Sequence, residues 1–419
     1  MESILHLHQN TKGWLLDSVY ASHVDAVVDD LKCGHYASST IKTYIACIAH
    51  FARWSDQCHL ALKEVGEEAV SRFLGEHLPH CDCPSPVRRS HGDLRAACRH
   101  LLRVLRDNGV IAEPKPDVPQ DDIEKEVLGF DEHMRCLRGL AAKTRRDRIR
   151  VVRYLLRERF ADQPFEFSAL QPDEVRKFIA EQLEHPGTTS RARALASALR
   201  AYFRYRTICG DHTEALAGVI TSPAEWSLSS LPRSLTDDEI DRLLDAFTPD
   251  LPSYRRGYAM VRCALDMGLR CGEIARLALA DIDWHAGTIT LRHTKSRRED
   301  VLPLPAATGQ AIVDYLRLER PQSSNRAVFV RHIAPRDLPI GPDAVRRVIR
   351  DAYHRIGLMH GRTHALRHTT ARRLLAHGSS LKEVADVLRH RSLNTSLIYA
   401  KLDSRRLRAV ALPWPGSTS

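Results

Sequence analysis

The sequence predicts a mainly α-helical protein, with two tandem helical N-terminal domains and an α-rich C-terminal domain that carries a small antiparallel β-sheet. Three observations support this prediction. Apolar residues recur at helical spacing through most of the 419 residues. Two stretches of the first half resemble each other in order and spacing. Residues 281–304 instead alternate between apolar and polar side chains on both sides of a polar turn, which is typical of a β-hairpin.

The first domain is predicted for residues 1–115. Helical spacing is clear in residues 40–54 and again in residues 94–109. The stretch PHCDCPSPVRRS, residues 79–90, interrupts the pattern and should form a loop. Residues 111–122 carry three prolines and four acidic side chains, so they are predicted to be a linker.

The second domain, predicted for residues 123–212, looks like a second copy of the first. Three pairs of stretches are similar, and their members begin 105, 101 and 104 residues apart. The pairs are 69–78 with 174–183, 94–109 with 195–210, and 37–44 with 141–148. Separations that agree within loop-length variation favour two similar helical modules in tandem. The alternative is that amphipathic helices resemble one another by chance.

The third domain is predicted for residues 233–410, after a second linker at 213–232. Thr236 and Glu239 have the spacing of a capping box, so a helix should begin there. Apart from the hairpin, the rest of this domain has helical periodicity. A short tail, residues 411–419, follows it.

The positive charge is concentrated in the C-terminal domain. The chain has a net charge of +10, with 62 basic and 52 acidic residues. Residues 233–419 hold 31 basic and 20 acidic side chains (+11), which leaves 31 and 32 (−1) for residues 1–232. A concentrated basic surface attracts polyanions, of which nucleic acid is the usual one. Nearly all of the excess is arginine, which suits bidentate phosphate contacts.

Composition excludes a membrane or secreted protein. No apolar run approaches the ~18 residues that a membrane span needs, and the first residues lack the pattern of a secretory signal. A cytoplasmic protein is therefore expected. The 10 cysteines have no regular spacing and are interpreted as reduced core residues.

Unusual polar side chains stand inside the helical patterns of the C-terminal domain. Arg270 and Glu273 are three residues apart and so share one helix face, as do His364 and Arg367. The candidate catalytic residues are Arg270, Lys295, His364, Arg367, His390 and Tyr399, with Glu273 in a supporting role.

These residue types suit phosphodiester exchange without a metal or a cofactor. A tyrosine hydroxyl can attack phosphorus and form a stable phosphoester. Arg270, Arg367 and His390 can stabilise the charge that develops on the non-bridging oxygens. His364 can accept the phenol proton, since histidine titrates near neutral pH. Lys295 can protonate the leaving 5′ oxygen.

The order Arg, Lys, His-x-x-Arg, His, Tyr resembles the catalytic domain of the tyrosine recombinase, or phage integrase, family. Its flanks fit as well: GLRCGEI at 268–274, VLPLP at 301–305, ALRHT at 365–369 and LRH at 388–390. The resemblance covers residues 233–410. It implies a site-specific DNA recombinase or integrase in which Tyr399 forms a 3′-phosphotyrosyl bond, and a helical core-binding clamp for DNA at residues 123–212.

The resemblance also implies an assembly. Strand exchange needs two double-stranded DNA sites, so a homotetramer on synapsed DNA is expected, with a monomer or weak oligomer when free and other recombinases as further partners. The extra N-terminal domain would read an arm site or clamp DNA a second time. The layout is similar to that of recombinases of mobile genetic elements, which act in integration and transposition. The stretch at residues 400–419 is expected to dock on a neighbouring protomer.

Some positions leave alternatives open. Arg389 stands where the family usually has glycine, and it would either alter a helix C-cap or add a phosphate contact. Lys295 shares its turn with two arginines. The alternative to a catalytic role is that this basic turn only contacts the DNA backbone. Glu273 is interpreted as orienting Arg270, the alternative being a solvated acid. Tyr315 and Tyr353 are interpreted as ordinary core aromatics.

Two other functions were weighed against recombination. The first is a catalytically silent DNA-binding regulator of the same fold, which would not need the complete set of candidate catalytic residues. The second is a topoisomerase-like nicking and closing enzyme. The tandem N-terminal domains favour action at defined sites and so count against it.

One cluster of metal-ligand residue types lies outside the catalytic set. His77, His80, Cys81 and Cys83 are close in sequence, and His91 follows. Such a stretch can bind zinc, but no second pair of ligands stands at the spacing of a known zinc finger. No metal is therefore predicted, and the stretch is interpreted as a reduced loop.

Overall fold

The structure is a computed structural model, and it describes residues 8–113, 121–161, 163–184, 189–221, 232–292, 299–359, 363–390 and 397–402. The chain divides into two compact units. One is formed by residues 1–113 together with 227–419, and the other by residues 114–226. Helices dominate both, and the predicted mainly α fold with a small antiparallel sheet is confirmed. Across the described ranges, no helix is long and apolar enough to cross a membrane.

The helices of residues 8–113 enclose one hydrophobic core. They are α1 (Gln9–Leu16), α2 (Val24–Cys33), α3 (Ser38–Gln57), α4 (Glu67–Arg72) and α5 (His91–Asp107), with 3₁₀ turns at Ala21–His23, Leu62–Glu64 and Leu78–His80 and a π turn at Phe73–His77. Helices α3 and α5 pack against each other because each buries one apolar stripe, with Ile45 and Ile48 on one side and Leu101 and Leu105 on the other. The predicted loop at residues 79–90 is confirmed from residue 81 on, since residues 81–90 form no helix or strand, whereas residues 79 and 80 belong to the 3₁₀ turn at Leu78–His80.

The unit of residues 114–226 has its own core. Its helices are α6 (Asp122–Cys136), α7 (Ala142–Arg159), α8 (Pro172–Glu184), α9 (Thr189–Ile208) and α10 (Glu214–Gly218), with a 3₁₀ turn at Phe167–Ala169. The prediction that the linker starts at residue 213 is wrong. Helix α10 forms there because Leu216 and the following Ile220 bury their side chains in this core.

The similar stretches of the first two parts lie on corresponding helices. Helix α3 corresponds to α7, α4 with its π turn to α8, and α5 to α9. In each part the first and the last of these helices pack against each other. The tandem helical organisation is confirmed, while the domain limits and a copying of one module into the other stay predictions.

The C-terminal part, described from residue 232, carries the sheet. Its elements are α11 (Asp237–Asp245), α12 (Tyr254–Asp266), α13 (Cys271–Arg276), β1 (Ile282–Asp283), β2 (Thr288–Leu291), β3 (Asp300–Pro303), α14 (Ala306–Leu318), α15 (Pro342–Arg355), α16 (Thr363–Ala376) and α17 (Leu381–Val387), with 3₁₀ turns at Leu279–Asp281 and Leu397–Leu402. The predicted capping box opens α11. The Glu239 backbone N–H donates to Thr236 Oγ1 (3.2 Å), and the Thr236 N–H donates to Glu239 Oε2 (2.9 Å).

The sheet has the strand order β1-β2-β3 and is antiparallel throughout. Ile289 of β2 faces Ile282 on one side and Leu302 on the other. The predicted hairpin is therefore confirmed, and the two-residue strand β1 extends it. Ile289 and Leu291 are buried in a core that is shared with helix α12, which anchors the hairpin to the helical part of the domain.

Helix α12 lies at the centre of this part and packs against α14, α15 and α16. The predicted role of Tyr315 and Tyr353 as core aromatics is confirmed, because both are fully buried. The cysteine prediction holds only in part. All ten are free of disulfide bonds, but four of them, Cys33, Cys58, Cys136 and Cys209, are exposed. Each of these stands at a helix end, where the chain leaves the core.

Candidate active site

A glycine turn places Arg270 at the start of helix α13. Gly268 has φ +59°, and a Cβ there would come within 2.6 Å of the Leu388 side chain, so this position requires glycine. Arg270 is extended, and its backbone N–H donates to Glu273 Oε2 at 2.8 Å. Its Nη1 donates to Glu273 Oε1 at 2.7 Å. The Arg270 side chain remains 27% exposed, and so it can also reach a ligand in solution.

Glu273 bridges two arginines. Besides Arg270 it accepts from Nη2 of Arg389 at 2.9 Å, and the side chains of Glu273 and Arg389 are 3% and 2% exposed. The alternative of a solvated acid is therefore wrong. Burial by itself would raise the pKa of Glu273, but the charges of Arg389 and Arg270 and their hydrogen bonds hold it below its ordinary value. Glu273 is thus a buried carboxylate that orients two guanidinium groups.

Arg389 occupies a left-handed position at the end of helix α17. Its φ is +54°. Its N–H donates to Asp386 O and that of His390 to Ala385 O, both at 2.9 Å, which together form a Schellman motif. The C-cap alternative is accordingly the one that fits, because an arginine takes the place that glycine would fill without strain. In this conformation the Arg389 side chain is not available for a phosphate contact, since its guanidinium is buried against Glu273.

Arg367 ties three segments together from helix α16. It is 4% exposed. Its Nη1 donates to Gly268 O at 2.5 Å, and its Nη2 donates to Leu388 O. Arg367 thus joins the turn before Arg270 to the end of α17. Burial, and then the neighbouring charges of Arg270 and Arg389, lower the pKa of Arg367 to about 9.

Tyr399 brings its hydroxyl into this group. It lies in the 3₁₀ turn at Leu397–Leu402, is 2% exposed, and its hydroxyl is 2.8 Å from Nδ1 of His368. Burial raises the pKa of Tyr399, and the charges of Arg367 and Arg270 oppose that rise. The hydroxyl is therefore held as a phenol beside a neutral acceptor and within the field of two arginines.

His368 was missed from the sequence. It follows Arg367 directly and stands four residues after His364, so helical spacing places both histidines on one face of α16. Their ring centroids are 6.5 Å apart. The histidine in contact with the Tyr399 hydroxyl is His368. Burial, and then the charges of His364 and Arg367, lower the pKa of His368 to about 4, so the imidazole is neutral at pH 7 and can accept a proton.

His390 stacks on the ring of Tyr399. The two rings are parallel within 10°, with centroids 6.0 Å apart. The Schellman motif at the end of α17 fixes its backbone. Burial, followed by the charges of Arg367, Arg270 and Arg389, lowers the pKa of His390 to about 4. It is therefore a neutral hydrogen-bond donor for a bound anion.

Five of the six candidate catalytic residues lie in described segments. Arg270, Arg367, His390 and Tyr399 come together, and His364 lies one helical turn from His368. Lys295 lies outside the described residues, so its role stays a prediction. Strands β2 and β3, which precede and follow Lys295 in the sequence, are described and paired.

A basic groove lies in the separate unit of residues 114–226. It encloses about 770 Å³, and its lining includes Lys143, Arg148, Arg150, Arg191 and Tyr154. Burial, and then the like charges of Arg138 and Arg204, lower the pKa of Arg148. One acid, Asp147, also lines the groove and lies 3.2 Å from Lys143 and 3.9 Å from Arg150. The cations remain in excess on this concave surface, an arrangement that favours a polyanion.

Known proteins that are similar in sequence to this chain are named as integrases and recombinases. The profile of the phage integrase family matches residues 233–406. The integrase/recombinase y4rA of Sinorhizobium fredii is 36% identical over 384 residues, which cover 91% of this chain and 91% of that protein. Tyrosine recombinase XerC of Pseudomonas putida is 30% identical over 296 residues, 69% of this chain and 95% of that protein.

Two solved structures share the fold. One is the XerH site-specific recombinase bound to palindromic difH substrate, with a TM-score of 0.53 and 16% identity over 71% of this chain and 98% of that one. The other is a lambda integrase dimer bound to a COC′ core site, with a TM-score of 0.52 and 17% identity over 70% of this chain and 98% of that one. With the relatives in sequence and the shared fold, the chain belongs to the phage integrase family of tyrosine recombinases.

Proposed function

We propose that this chain is a site-specific DNA recombinase that cuts and rejoins DNA strands through a 3′-phosphotyrosyl bond to Tyr399. The observation that carries the proposal is the position of the Tyr399 hydroxyl. It lies 2.8 Å from a neutral imidazole and within the field of two arginines. Full-length relatives named as integrases and recombinases support the same reaction class.

The proposed cleavage step conserves bond energy. The Tyr399 oxygen attacks phosphorus, and the phenol proton passes to an imidazole. The bond from phosphorus to the 5′ oxygen breaks, and Lys295 gives that oxygen its proton. The product is a phosphotyrosyl ester and a free 5′ hydroxyl. Attack by the 5′ hydroxyl of a partner duplex reverses the step and joins the strands.

The arginines and His390 would stabilise the pentacoordinate phosphorus. Arg270 is held by Glu273 on one side and open on the other, so it can donate to a non-bridging oxygen. Arg367 uses two of its N–H groups to fix the turn at Gly268 and the end of α17. The positive charge of Arg367 would act on the same phosphate, and an N–H of His390 would donate a hydrogen bond to it. Preorganised donors of this kind need no rearrangement when charge develops.

The sequence assigned the phenol proton to His364. The contact in the structure supports His368 as the direct acceptor, with His364 in the next turn of the helix on the same side. We propose that His368 takes the proton, while His364 contacts the phosphate or relays the proton onward. His368→Ala should then slow cleavage more than His364→Ala does.

The proposed partner is double-stranded DNA at specific recombination sites. The basic groove of residues 114–226 supports the assignment of that unit as a clamp on DNA. The two structural neighbours were solved bound to DNA sites. We extend the proposal to a homotetramer on synapsed DNA that is a monomer or weak oligomer when free, and to joint action with other recombinases.

Integration or transposition of a mobile element in the cytoplasm is the proposed setting. The residues after Leu402 lie outside the described ranges. Their docking on a neighbouring protomer stays a proposal, and a chain that ends at Lys401 would test it. If that chain recombined as well as the full chain, the docking proposal would be wrong. A DNA-binding regulator and a nicking-closing enzyme are not favoured by the relatives in sequence.

A covalent-trapping assay tests the function. The protein is incubated without added magnesium on a suicide DNA from its native locus that carries a nick or a phosphorothiolate, and the products are separated on a denaturing gel. Wild type should give a band of protein joined to DNA, and Tyr399→Phe should give none. Tyr353→Phe is the matched control, because it removes a buried hydroxyl that has no hydrogen-bond partner in the structure.

The outcomes separate the candidate functions. A trapped band that needs Tyr399 and persists in the Tyr353 variant establishes the nucleophile. Binding of native sites without any trapped band would favour the regulator. Relaxation of supercoiled DNA without recombinant products would favour the nicking-closing enzyme.

A further inference from the structure

Four potential metal ligands converge at the edge of the N-terminal helical core. They are His50 from helix α3, His77 at the end of the π turn, and Cys81 and Cys83 from the loop that follows. The two Nε2 atoms are 3.2 Å apart. Cys81 Sγ is 3.3 Å from the Nε2 of His50, and Cys83 Sγ is 3.7 Å from the Nε2 of His77. All four ligand atoms lie within 4.8 Å of one another.

These separations match the edges of a tetrahedron around zinc. With Zn–N near 2.0–2.1 Å and Zn–S near 2.3 Å, tetrahedral angles place two nitrogens about 3.3 Å apart, nitrogen and sulfur about 3.6 Å and two sulfurs about 3.8 Å. The three distances given above follow that pattern within a few tenths of an ångström. The donor set of two imidazoles and two thiols is that of a structural zinc site.

The outer contacts orient His50 as a ligand. Its Nδ1 lies 2.9 Å from the carbonyl oxygen of Arg88, which can only accept, so Nδ1 carries the hydrogen. The lone pair of Nε2 is then available on the side where the Nε2 of His77 and the Sγ of Cys81 lie. A ligand histidine whose second nitrogen donates to a backbone carbonyl is the usual arrangement at metal sites. Because His50 is fully buried, its nitrogen has no access to water in place of a partner.

Neighbouring side chains hold the rest of the site. The ring of Phe73 stacks on His77 at 5.4 Å and meets His50 edge-on at 5.1 Å. Arg89 donates from Nη2 to the carbonyl of Cys83 at 3.1 Å, which fixes the loop backbone that carries both thiols. The π turn at Phe73–His77 rotates His77 toward α3 at the point where the regular helix ends, and such turns are common at functional sites.

We propose that His50, His77, Cys81 and Cys83 bind one structural Zn²⁺ ion that fastens the loop at residues 81–90 to helix α3. Four protein ligands leave no open position for substrate, so the ion stabilises the fold and does not take part in strand cleavage. Binding joins each thiolate and each neutral imidazole to the ion and releases the two thiol protons to solvent.

The sequence alone pointed to the wrong set. It grouped His77, Cys81 and Cys83 with His80 and His91, and it found no second pair at finger spacing. His80 and His91 are exposed and belong to no metal-ligand group among the described residues. The missing ligand is His50, which comes from a helix 27 residues before His77.

The test measures zinc in the full chain under reducing conditions. Purified wild type, stripped of metal and given Zn²⁺, should retain one equivalent per chain after gel filtration, measured by mass spectrometry of the metal. His80→Ala is the matched control from the same loop and should retain the same amount. Cys81→Ser with Cys83→Ser should reduce bound zinc at least about tenfold, because both thiolates are lost.

A second measurement does not depend on how the variants fold. Metal-free wild type titrated with Co²⁺ should reach saturation at one equivalent, with the strong visible bands of a tetrahedral site and a thiolate charge-transfer band. Wild type that retains no zinc and gives no such spectrum would overturn the proposal, as would full zinc retention by the double cysteine variant. Covalent trapping by Tyr399 is scored separately, so failure of either proposal leaves the other standing.

Discussion

Replacing Glu273 with glutamine tests the bridge between the two arginines. The amide keeps the size and one carbonyl oxygen of the side chain but removes its negative charge. Arg389, with a 2% exposed side chain, would lose the carboxylate with which it forms an ion pair, and Arg270 would lose the acceptor of its Nη1. Arg367 is also close to these charges, because burial and then the charges of Arg270 and Arg389 lower its pKa. Three guanidinium groups would then repel one another without a carboxylate between them.

The expected loss of stability is large. Removing one partner of a buried ion pair costs about 3–5 kcal/mol, because the other charge stays buried without compensation. The pKa of Glu273 lies below its ordinary value in the folded protein. Its contribution is therefore fully present above the ordinary value of about 4.3 and is lost as pH falls below it. The glutamine variant should lack this part of the pH dependence.

Local unfolding should be measured by hydrogen exchange with mass spectrometry, because a chain with several cores does not unfold in one step. Peptides from residues 255–277 and 363–390 report on the elements that Glu273 joins. Asp343→Asn is the matched control, since that carboxylate pairs with Arg346 on the surface and is 90% exposed, and it should cost only about 0–1 kcal/mol. Equal protection losses in the two variants would refute the bridging role.

Four further predictions follow from the same geometry. Arg389→Gly should lower the local free energy of unfolding by only about 1–3 kcal/mol in the same exchange assay, because Glu273 keeps its ion pair with Arg270 and glycine relieves the strain of the left-handed backbone. The double variant with Glu273→Gln should show a coupling energy of about 1–3 kcal/mol. Strict additivity of the two losses would contradict direct contact between the two side chains. Arg270→Lys should lower the rate of covalent trapping about 10²–10³-fold, since lysine cannot both pair with Glu273 and reach the phosphate, and an unchanged rate would exclude Arg270 from the reaction. The pKa of His368 is lowered to about 4, so its neutral, proton-accepting form persists in mildly acidic solution. The rate of cleavage should therefore stay constant from about pH 8 to about pH 5. A decrease of that rate around pH 6.5 would instead indicate a base with the pKa of an ordinary imidazole. In DNA-binding titrations, Arg148→Ala should reduce the slope of log affinity against log salt concentration by the amount that corresponds to about one lost phosphate contact. The control is Arg135→Ala, which removes an exposed ion pair with Glu132 and should leave that slope unchanged.

The sequence was sufficient for features that depend on neighbours along the chain. Helical periodicity predicted helix α16, on which Arg367 lies, and alternation predicted the hairpin, whereas Arg270 is extended and precedes helix α13 as its N-cap. Spacing of three residues predicted that Glu273 would orient Arg270, which the hydrogen bonds confirm. The two residues do not share a helix face as predicted, because Glu273 reaches back from the first turn to the N-cap, a contact that local geometry provides whatever the rest of the fold does. The order of residue types along the chain was likewise enough to indicate the family.

Contacts between distant segments were decided only by the tertiary structure. Arg389 reaches Glu273 across 116 residues, and no spacing rule predicts that an arginine in a left-handed C-cap would turn inward. His368 contacts Tyr399 across 31 residues. The sequence offered two histidines on one face of α16, and only the packing of the last 3₁₀ turn selects between them. His50 joins the cysteine loop because α3 and the π turn pack side by side. Periodicity fixes which face of a helix is buried, whereas the partner of that face depends on how all the helices pack together.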